Sequence, residues 1–179
     1  LKASEIQQNG FPLEFLDFGG GFGPRYFKEQ KIFPLEKYVK FITRQIARSG
    51  LQIKAIALEP GKHLVGDAGI LLLRVEYVKE SYGNFFACVN GGTFTSIPRP
   101  VLYSQARHPI VNCSRIHSSK MTKVTVAGNL CETGDVFGRE ILMPPPQRGD
   151  TLAVLVAGAY CRSMASHFNQ RDIPQEIVV

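Results

Sequence analysis

A cluster of glycines follows a short apolar run near the start of the sequence. Phe15-Leu16-Asp17-Phe18 leads directly into Gly19-Gly20-Gly21-Phe22-Gly23. Because glycine carries no Cβ atom, backbone N–H groups at such a site can come close to an anion. At the carboxyl end of an α/β strand, the natural ligand for these donors is a phosphate group. The run therefore predicts a phosphate-binding loop, and a tight turn without a ligand is the alternative.

A second motif, Glu59-Pro60-Gly61-Lys62, also follows an apolar run. If the two runs are parallel strands, this motif lies at the same end of the sheet as the glycine loop. A carboxylate at Glu59 could then hold a cationic ring nitrogen, while Gly61 offers a backbone donor. A strand-ending turn with solvated charges explains the same residues, and the spacing favours neither interpretation.

A third motif places a thiol beside two carboxylates in Cys131-Glu132-Thr133-Gly134-Asp135. Such a cysteine could donate a proton, bind a metal or fill a small pocket. A metal is disfavoured because no second cysteine or histidine stands at ligand spacing. A buried, inert cysteine is the more common situation for a lone residue of this type.

Two further segments contain groups that suit an anionic ligand. Arg99 and Tyr103, in the run Arg-Pro-Val-Leu-Tyr, combine a guanidinium with a phenol, a pairing that suits a carboxylate. In Ala157-Gly158-Ala159-Tyr160, small residues permit close backbone approach and the hydroxyl can donate to an anion. A surface arginine, a core tyrosine and a simple turn are the alternatives. The histidines have no partners at informative spacing and receive no role: His63, His108, His117 and His167.

The first two motifs need a parallel pair of strands to bring them together. Leu13–Phe18 and Ile53–Leu58 are short apolar runs typical of strands. Between them, apolar residues recur at helical spacing over Leu35–Ser49, with Pro34 before the first turn and Gly50 after the last. Strand, helix and strand in this order predict a βαβ unit of a parallel sheet or barrel.

Beyond about residue 65 the pattern changes to strands without intervening helices. The strand-like runs are rich in Val, Leu, Phe and Thr and are divided by Gly, Pro and Asn: Ile70–Val78, Phe85–Val89, Lys123–Ala127 and Thr151–Val156. This pattern predicts a mainly antiparallel β domain. The predicted fold class is α/β plus all-β, with α/β units over residues 1–65 and a β domain over residues 66–179.

Composition excludes several classes of protein. The chain of 179 residues is 44% hydrophobic, so it can bury a core, and its longest apolar stretches are too short to span a bilayer. The net charge of +6 comes from scattered basic residues, so nucleic acid is not a predicted partner. The four cysteines lack paired spacing, which indicates a reducing, cytoplasmic setting. The opening segment, Leu1–Gly10, resembles the end of a helix already under way, as in a piece of a longer protein.

Taken in order, the five motifs resemble a known family. The chain is similar to the fold type III decarboxylases of basic amino acids, which depend on pyridoxal phosphate (PLP) and are related to alanine racemase. Within the family, the sequences of its motifs look most like those of the branch that acts on diaminopimelate, and the match continues to Pro174–Val179. The family fold is an α/β barrel followed by a β domain. Residues 1–65 would thus be the last α/β units of the barrel, and residues 66–179 would carry substrate and dimer-interface motifs.

The resemblance implies a role for each motif. Gly20, Gly21, Pro60, Gly61 and Lys62 would lie around the cofactor, with the glycines at its phosphate, while Glu59 would face the pyridine nitrogen and Tyr160 would reach both cofactor and substrate. Cys131 would act from the partner subunit of a homodimer with shared active sites, protonating the substrate α-carbon. The distal end of a small amino-acid substrate would be recognised by Arg99, Tyr103 and Glu132. The implied reaction converts meso-diaminopimelate to L-lysine and CO2.

The chain also departs from the family pattern. Lys62 stands where the family usually has arginine, and the family's Schiff-base lysine lies upstream of everything in this sequence. The chain alone should therefore be inactive and should need the missing N-terminal half of the barrel. Because of Lys62, one alternative stays open, namely a related decarboxylase that acts on lysine, ornithine, a carboxylated polyamine or a carrier-bound amino acid. A non-catalytic relative that binds a partner is the alternative of another class.

Overall fold

The first part of the structure is a βαβ unit. The computed structural model describes residues 2–179. After helix α1 (Lys2–Gln8), strand β1 (Phe15–Asp17), helix α2 (Leu35–Ser49) and strand β2 (Ala55–Ala57) follow in order. The two strands pair in parallel, with Phe15 opposite Ala55 and Asp17 opposite Ala57. The predicted parallel unit is confirmed, although each strand is shorter than its apolar run.

Helix α2 has the bounds that the sequence predicts. Its last residue is followed by Gly50, whose φ of 70° is left-handed and ends the helix. The helix buries Ile42 and Ile46, whereas Phe41 on another face is 58% exposed. The longest described helix is this one, at 15 residues, and no helix within residues 2–179 is long and apolar enough to cross a membrane.

Six strands form a second, mixed sheet. They are β3 (Leu71–Ser81), β4 (Asn84–Val89), β5 (Ile110–Asn112), β6 (Thr122–Ala127), β7 (Val136–Met143) and β8 (Thr151–Val154). Their order is β5-β8-β3-β4-β6-β7, and only β4 and β6 run in parallel. The outer strands β5 and β7 come into contact, so the sheet is nearly closed around its core. The core includes Val75, Val89, Val124, Val126 and Leu152.

Two of these strands, β5 and β7, are absent from the sequence prediction. Strand β7 has the adjacent charges of Arg139 and Glu140 in its middle, and Glu140 has a φ of 51°. The pairing of β6 with β7 also shifts in register, which interrupts the alternation of apolar and polar residues. Strand β5 has only three residues, too few to show a period.

Short helices connect and cover the sheet. Helix α3 (Gly61–Val65) and a 3₁₀ turn (Gly66–Ala68) lead from β2 into β3. Helices α4 (Thr93–Ser96) and α5 (Arg99–Leu102) follow β4 and lie beside each other. Of the predicted motifs, the glycine run contains the end of β1, and the Glu59 motif contains the start of α3.

Candidate functional site

The glycine loop and the Glu59 motif lie side by side at the carboxyl ends of β1 and β2. The backbone pairing continues beyond the strands, because the Phe18 amide donates to Ala57 at 3.1 Å and the Glu59 amide donates to Gly19 at 2.8 Å. The side chain of Asp17 accepts a hydrogen bond from the Gly19 amide at 2.7 Å and so fixes the start of the loop. The parallel pairing is what brings together two motifs 40 residues apart in sequence.

Each of two glycines in this loop serves a different purpose. A Cβ atom at Gly20 would overlap the carbonyl oxygen of Glu59, so only glycine permits this close approach. Gly21 has a φ of 93°, and a Cβ atom there would meet open space. Within residues 2–179, the amides of Gly20 and Gly21 have no hydrogen-bond partner. The loop therefore presents two free donors beside an open space, as an anion site requires.

The residues of the second motif form a tight turn that leads into α3. The Gly61 amide donates to the carbonyl oxygen of Glu59 at 2.9 Å, so in this structure it is part of the turn. The Glu59 side chain is exposed, and its carboxylate approaches Gly19 of the neighbouring loop. Lys62 is half-buried within α3, and Pro60 precedes the helix. A carboxylate and two free amides thus share one edge of the βαβ unit.

The Ala157-Gly158-Ala159-Tyr160 motif attaches the six-stranded sheet to this same edge. The Ala157 amide donates to Gly69 at 2.7 Å, and the Gly158 amide donates to Gly66 at 3.0 Å. A Cβ atom at Gly158 would overlap the carbonyl oxygen of Val65, so the two backbones are in direct contact. Tyr160 follows with a φ of 55° and is 49% exposed. The small residues of the motif therefore hold Tyr160 next to the segment that follows Glu59.

The Cys131 loop and helix α5 form a second group. A Cβ atom at Gly134 would lie 3.3 Å from Cγ1 of Val101, so the loop packs on the helix that bears Arg99. Cys131 and Glu132 are both exposed on this loop. The Cys131 amide donates to the side chain of Asn169 at 3.1 Å. The Glu132 carboxylate accepts a hydrogen bond from the Gly134 amide at 3.2 Å.

Asp135 anchors this loop, a role that sequence reasoning missed. Its buried carboxylate accepts hydrogen bonds from the amide and hydroxyl of Thr93 and from the amide of Leu130, each at 2.7 Å. Gly128 packs directly on the carboxylate, because a Cβ atom there would overlap it. Thr93 belongs to α4 and lies 42 residues from Asp135, so the local sequence could not reveal this contact. The available signal for Asp135 was the Gly-Asp pair at the end of the motif.

Arg99 lies between two tyrosines. Its guanidinium carbon is 6.0 Å from the ring centre of Tyr26 and 5.9 Å from that of Tyr103. Tyr103 was a predicted site residue, whereas Tyr26 was not. The contact joins the βαβ unit to helix α5, since Tyr26 belongs to the segment directly after the glycine loop.

No group of three or more His, Cys, Asp or Glu side chains within residues 2–179 is placed to hold a metal ion. All four cysteines are free thiols, of which Cys113 and Cys131 are exposed and Cys161 is buried.

Comparisons with known proteins agree with this arrangement. Residues 17–158 match the family described as "Pyridoxal-dependent decarboxylase, C-terminal sheet domain". Diaminopimelate decarboxylase of Methanothermobacter thermautotrophicus is 40% identical over 177 residues, which cover 97% of this chain and 41% of that protein. A crystal structure of diaminopimelate decarboxylase from M. jannaschii has a TM-score of 0.84 and 32% identity, covering 95% of this chain and 39% of that one. For the Helicobacter pylori enzyme complexed with L-lysine, the TM-score is 0.80 and the identity 32%, with 93% of this chain and 40% of that one covered.

The fold and the match together define the class. This chain belongs to the pyridoxal-dependent decarboxylases and contains their C-terminal sheet domain. It spans about two fifths of the length of the diaminopimelate decarboxylases that it matches.

Proposed function

We propose that this chain is the C-terminal part of a PLP-dependent decarboxylase that converts meso-diaminopimelate to L-lysine and CO2. The observation that carries the proposal is the meeting of the glycine loop with Glu59 at one edge, to which the β domain attaches Tyr160. The similarity to diaminopimelate decarboxylases over 97% of the chain supports the choice of substrate. We propose that residues 1–65 complete a barrel and that residues 66–179 form the β domain.

The glycine loop, the Glu59 motif and Tyr160 together fit the cofactor. The free amides of Gly20 and Gly21 suit the phosphate, and the Tyr160 hydroxyl can donate to the same group. Pro60, Gly61 and Lys62 would border it, with Lys62 adding positive charge. Glu59 would accept a hydrogen bond from the pyridine N–H and keep that nitrogen protonated. The chemistry that the bound cofactor supplies is delocalisation of the electron pair left at the substrate α-carbon.

The second group would select the substrate and return a proton. Arg99 can grip a distal carboxylate with two parallel hydrogen bonds, with Tyr103 beside it, and Glu132 can accept hydrogen bonds from a distal ammonium. The Cys131 thiol would donate a proton to the α-carbon after CO2 leaves. We propose that Cys131 serves the active site of the partner subunit in a homodimer, which agrees with its exposure on the surface of this chain.

The rest of the barrel must come from outside this chain. Phe15, Phe41 and Ile56 on the βαβ unit are large apolar residues that remain exposed, as expected if further α/β units cover them. Because the Schiff-base lysine of the family lies in that missing part, we propose that this chain alone is inactive. The four free thiols support a reducing, cytoplasmic setting.

A second candidate substrate class remains. Lys62 replaces the arginine of the family motif and offers a point charge in place of a planar fork. This difference favours testing lysine and ornithine, which have no distal carboxylate.

The decisive experiment measures CO2 release by the complete PLP-loaded protein that carries this chain. meso-Diaminopimelate, L-lysine and L-ornithine are compared in parallel, with the cofactor-free protein as the control. Release from diaminopimelate alone is the expected result. Release from lysine or ornithine would assign the second substrate class, and no release from any of the three would refute the proposed reaction.

A further inference from the structure

Arg99 is surrounded by aromatic and buried groups from both parts of the chain. The faces of Tyr26 and Tyr103 flank its guanidinium, and within residues 2–179 its Nε atom is buried without a hydrogen-bond partner. A guanidinium that lacks a carboxylate partner is free to bind one on a ligand. Its direction is then set by the rings that it packs against.

Tyr26 has a firmly fixed backbone. The side chain of Gln30 accepts hydrogen bonds from the amides of Tyr26 and Phe27, at 2.9 and 3.2 Å. Two residues earlier, Pro24 packs against Gly66, where a Cβ atom would overlap the proline ring. The segment that leaves the glycine loop is therefore tied to the start of the β domain, and Tyr26 is held at that junction.

His108 also packs against the Tyr26 ring. The two rings meet edge to face, with centres 5.3 Å apart and planes at 88°. His108 is 2% exposed, and its Nδ1 lies 3.1 Å from the carbonyl oxygen of Leu155, so Nδ1 must carry the proton. Burial lowers the pKa of His108, and the charge of Arg99 lowers it further. A neutral histidine is thus compatible with the nearby guanidinium.

The hydroxyl group of Tyr26 takes no part in this arrangement. Burial raises the pKa of Tyr26, against the opposing effect of Arg99, so the phenol stays protonated. Its hydroxyl forms no hydrogen bond within the described residues, whereas its ring contacts both Arg99 and His108. The ring is therefore the functional part of the side chain.

We propose that Tyr26 is a positioning residue that directs Arg99 toward the distal carboxylate of the substrate, with His108 bracing the tyrosine ring. Through this contact, the segment next to the phosphate loop sets the substrate preference of the β domain. The inference rests on the proposed function, because it assumes that Arg99 recognises a carboxylate.

The test uses the complete PLP-loaded protein with the variants Tyr26→Leu and Tyr26→Phe. For Tyr26→Leu we expect KM for meso-diaminopimelate to rise about tenfold while kcat stays within about twofold. Calorimetric Kd values add a readout without turnover: pimelate, a dicarboxylate, should bind about tenfold more weakly, and L-lysine should be unaffected. Tyr26→Phe keeps the ring and should retain wild-type values.

Tyr38→Leu is the matched control for lost aromatic packing. Tyr38 packs on Phe22 and Phe33 in the same βαβ unit, and among the described residues no arginine lies over its ring. It should lower the melting temperature without changing the ratio of pimelate to lysine affinity. If Tyr26→Leu does not fold, Tyr26→Met replaces it as a non-aromatic side chain of similar length.

The outcomes separate this inference from the proposed function. An unchanged pimelate Kd in a folded Tyr26→Leu or Tyr26→Met protein would overturn the positioning role, as would an equal loss in Tyr26→Phe. Absence of diaminopimelate turnover by the wild-type protein would instead refute the proposed reaction. The comparison of pimelate Kd values would still test the positioning role of Tyr26.

Discussion

Replacing Asp135 with asparagine should loosen the loop that carries Cys131 and Glu132. The native carboxylate accepts three hydrogen bonds, two from Thr93 at one oxygen and one from the Leu130 amide at the other. If the asparagine oxygen keeps the Thr93 bonds, its NH2 group faces the Leu130 N–H. Two donors then oppose each other, and one charge-assisted hydrogen bond is lost.

The size of the effect follows from that geometry. A hydrogen bond to a charged group is worth about 1.5–3 kcal/mol, and leaving a buried donor without a partner costs a further ~1–3 kcal/mol. We take about 3 kcal/mol as the combined cost, which corresponds to roughly a hundredfold increase in local opening. The site is 4% exposed, so water cannot easily replace the lost acceptor.

Hydrogen–deuterium exchange of the complete protein measures this opening directly. Peptides spanning residues 128–135 should exchange about a hundredfold faster in Asp135→Asn, because amide exchange follows local opening. Asp172→Asn is the control, since Asp172 is an exposed carboxylate near the end of the chain. Unchanged exchange in this segment would refute the anchoring role of Asp135. If exchange rises but kcat does not fall, the loop would not need this anchor for catalysis.

Three further changes test the cofactor loop, the Cys131 thiol and the ion pair between Arg115 and Asp150. Gly20→Ala should weaken PLP binding about tenfold, because its Cβ would push the loop away from Glu59; an absorbance titration measures this. Cys131→Ala should lower kcat about 10²–10⁴-fold while the PLP Kd stays constant, and parallel losses would contradict a proton-donor role. Burial raises the pKa of Asp150, but hydrogen bonds and the charge of Arg115, 2.6 Å away, outweigh it and hold the pKa low. Asp150→Asn should therefore destabilise the protein by about 1–3 kcal/mol at pH 7. Because the native carboxylate is ionised to a lower pH than in the unfolded chain, the melting-temperature difference should be full above about pH 4 and should shrink as the pH falls further, through the native pKa.

Local sequence signals determined the βαβ unit. Helix α2 begins and ends where Pro34, the apolar spacing and Gly50 predict, because each of these signals acts within a turn or two. The strands β1 and β2 were also recognisable from the sequence. Each lies in a short apolar run that ends near a glycine or a proline, and this pattern can be read without knowing which distant segment the strand pairs with. The order of the strands in the six-stranded sheet could not be read from the sequence. Strands β5 and β7 were missed because the first is short and the second is irregular.

The motifs of the site were visible in the sequence, but their supports were not. Glycines, Glu59, Arg99, Cys131 and Tyr160 are informative by residue type and by their order along the chain. Their anchors depend on residues far apart in sequence, such as Asp135 with Thr93.

The sequence by itself determined the family, the βαβ unit and the residues with reactive side chains. Only the tertiary structure decided what holds them in place: the Tyr26 ring against Arg99, and the Asp135 carboxylate beneath the Cys131 loop. The physical reason is that side-chain chemistry and helix signals are local, whereas burial and hydrogen-bond satisfaction depend on which distant segments meet.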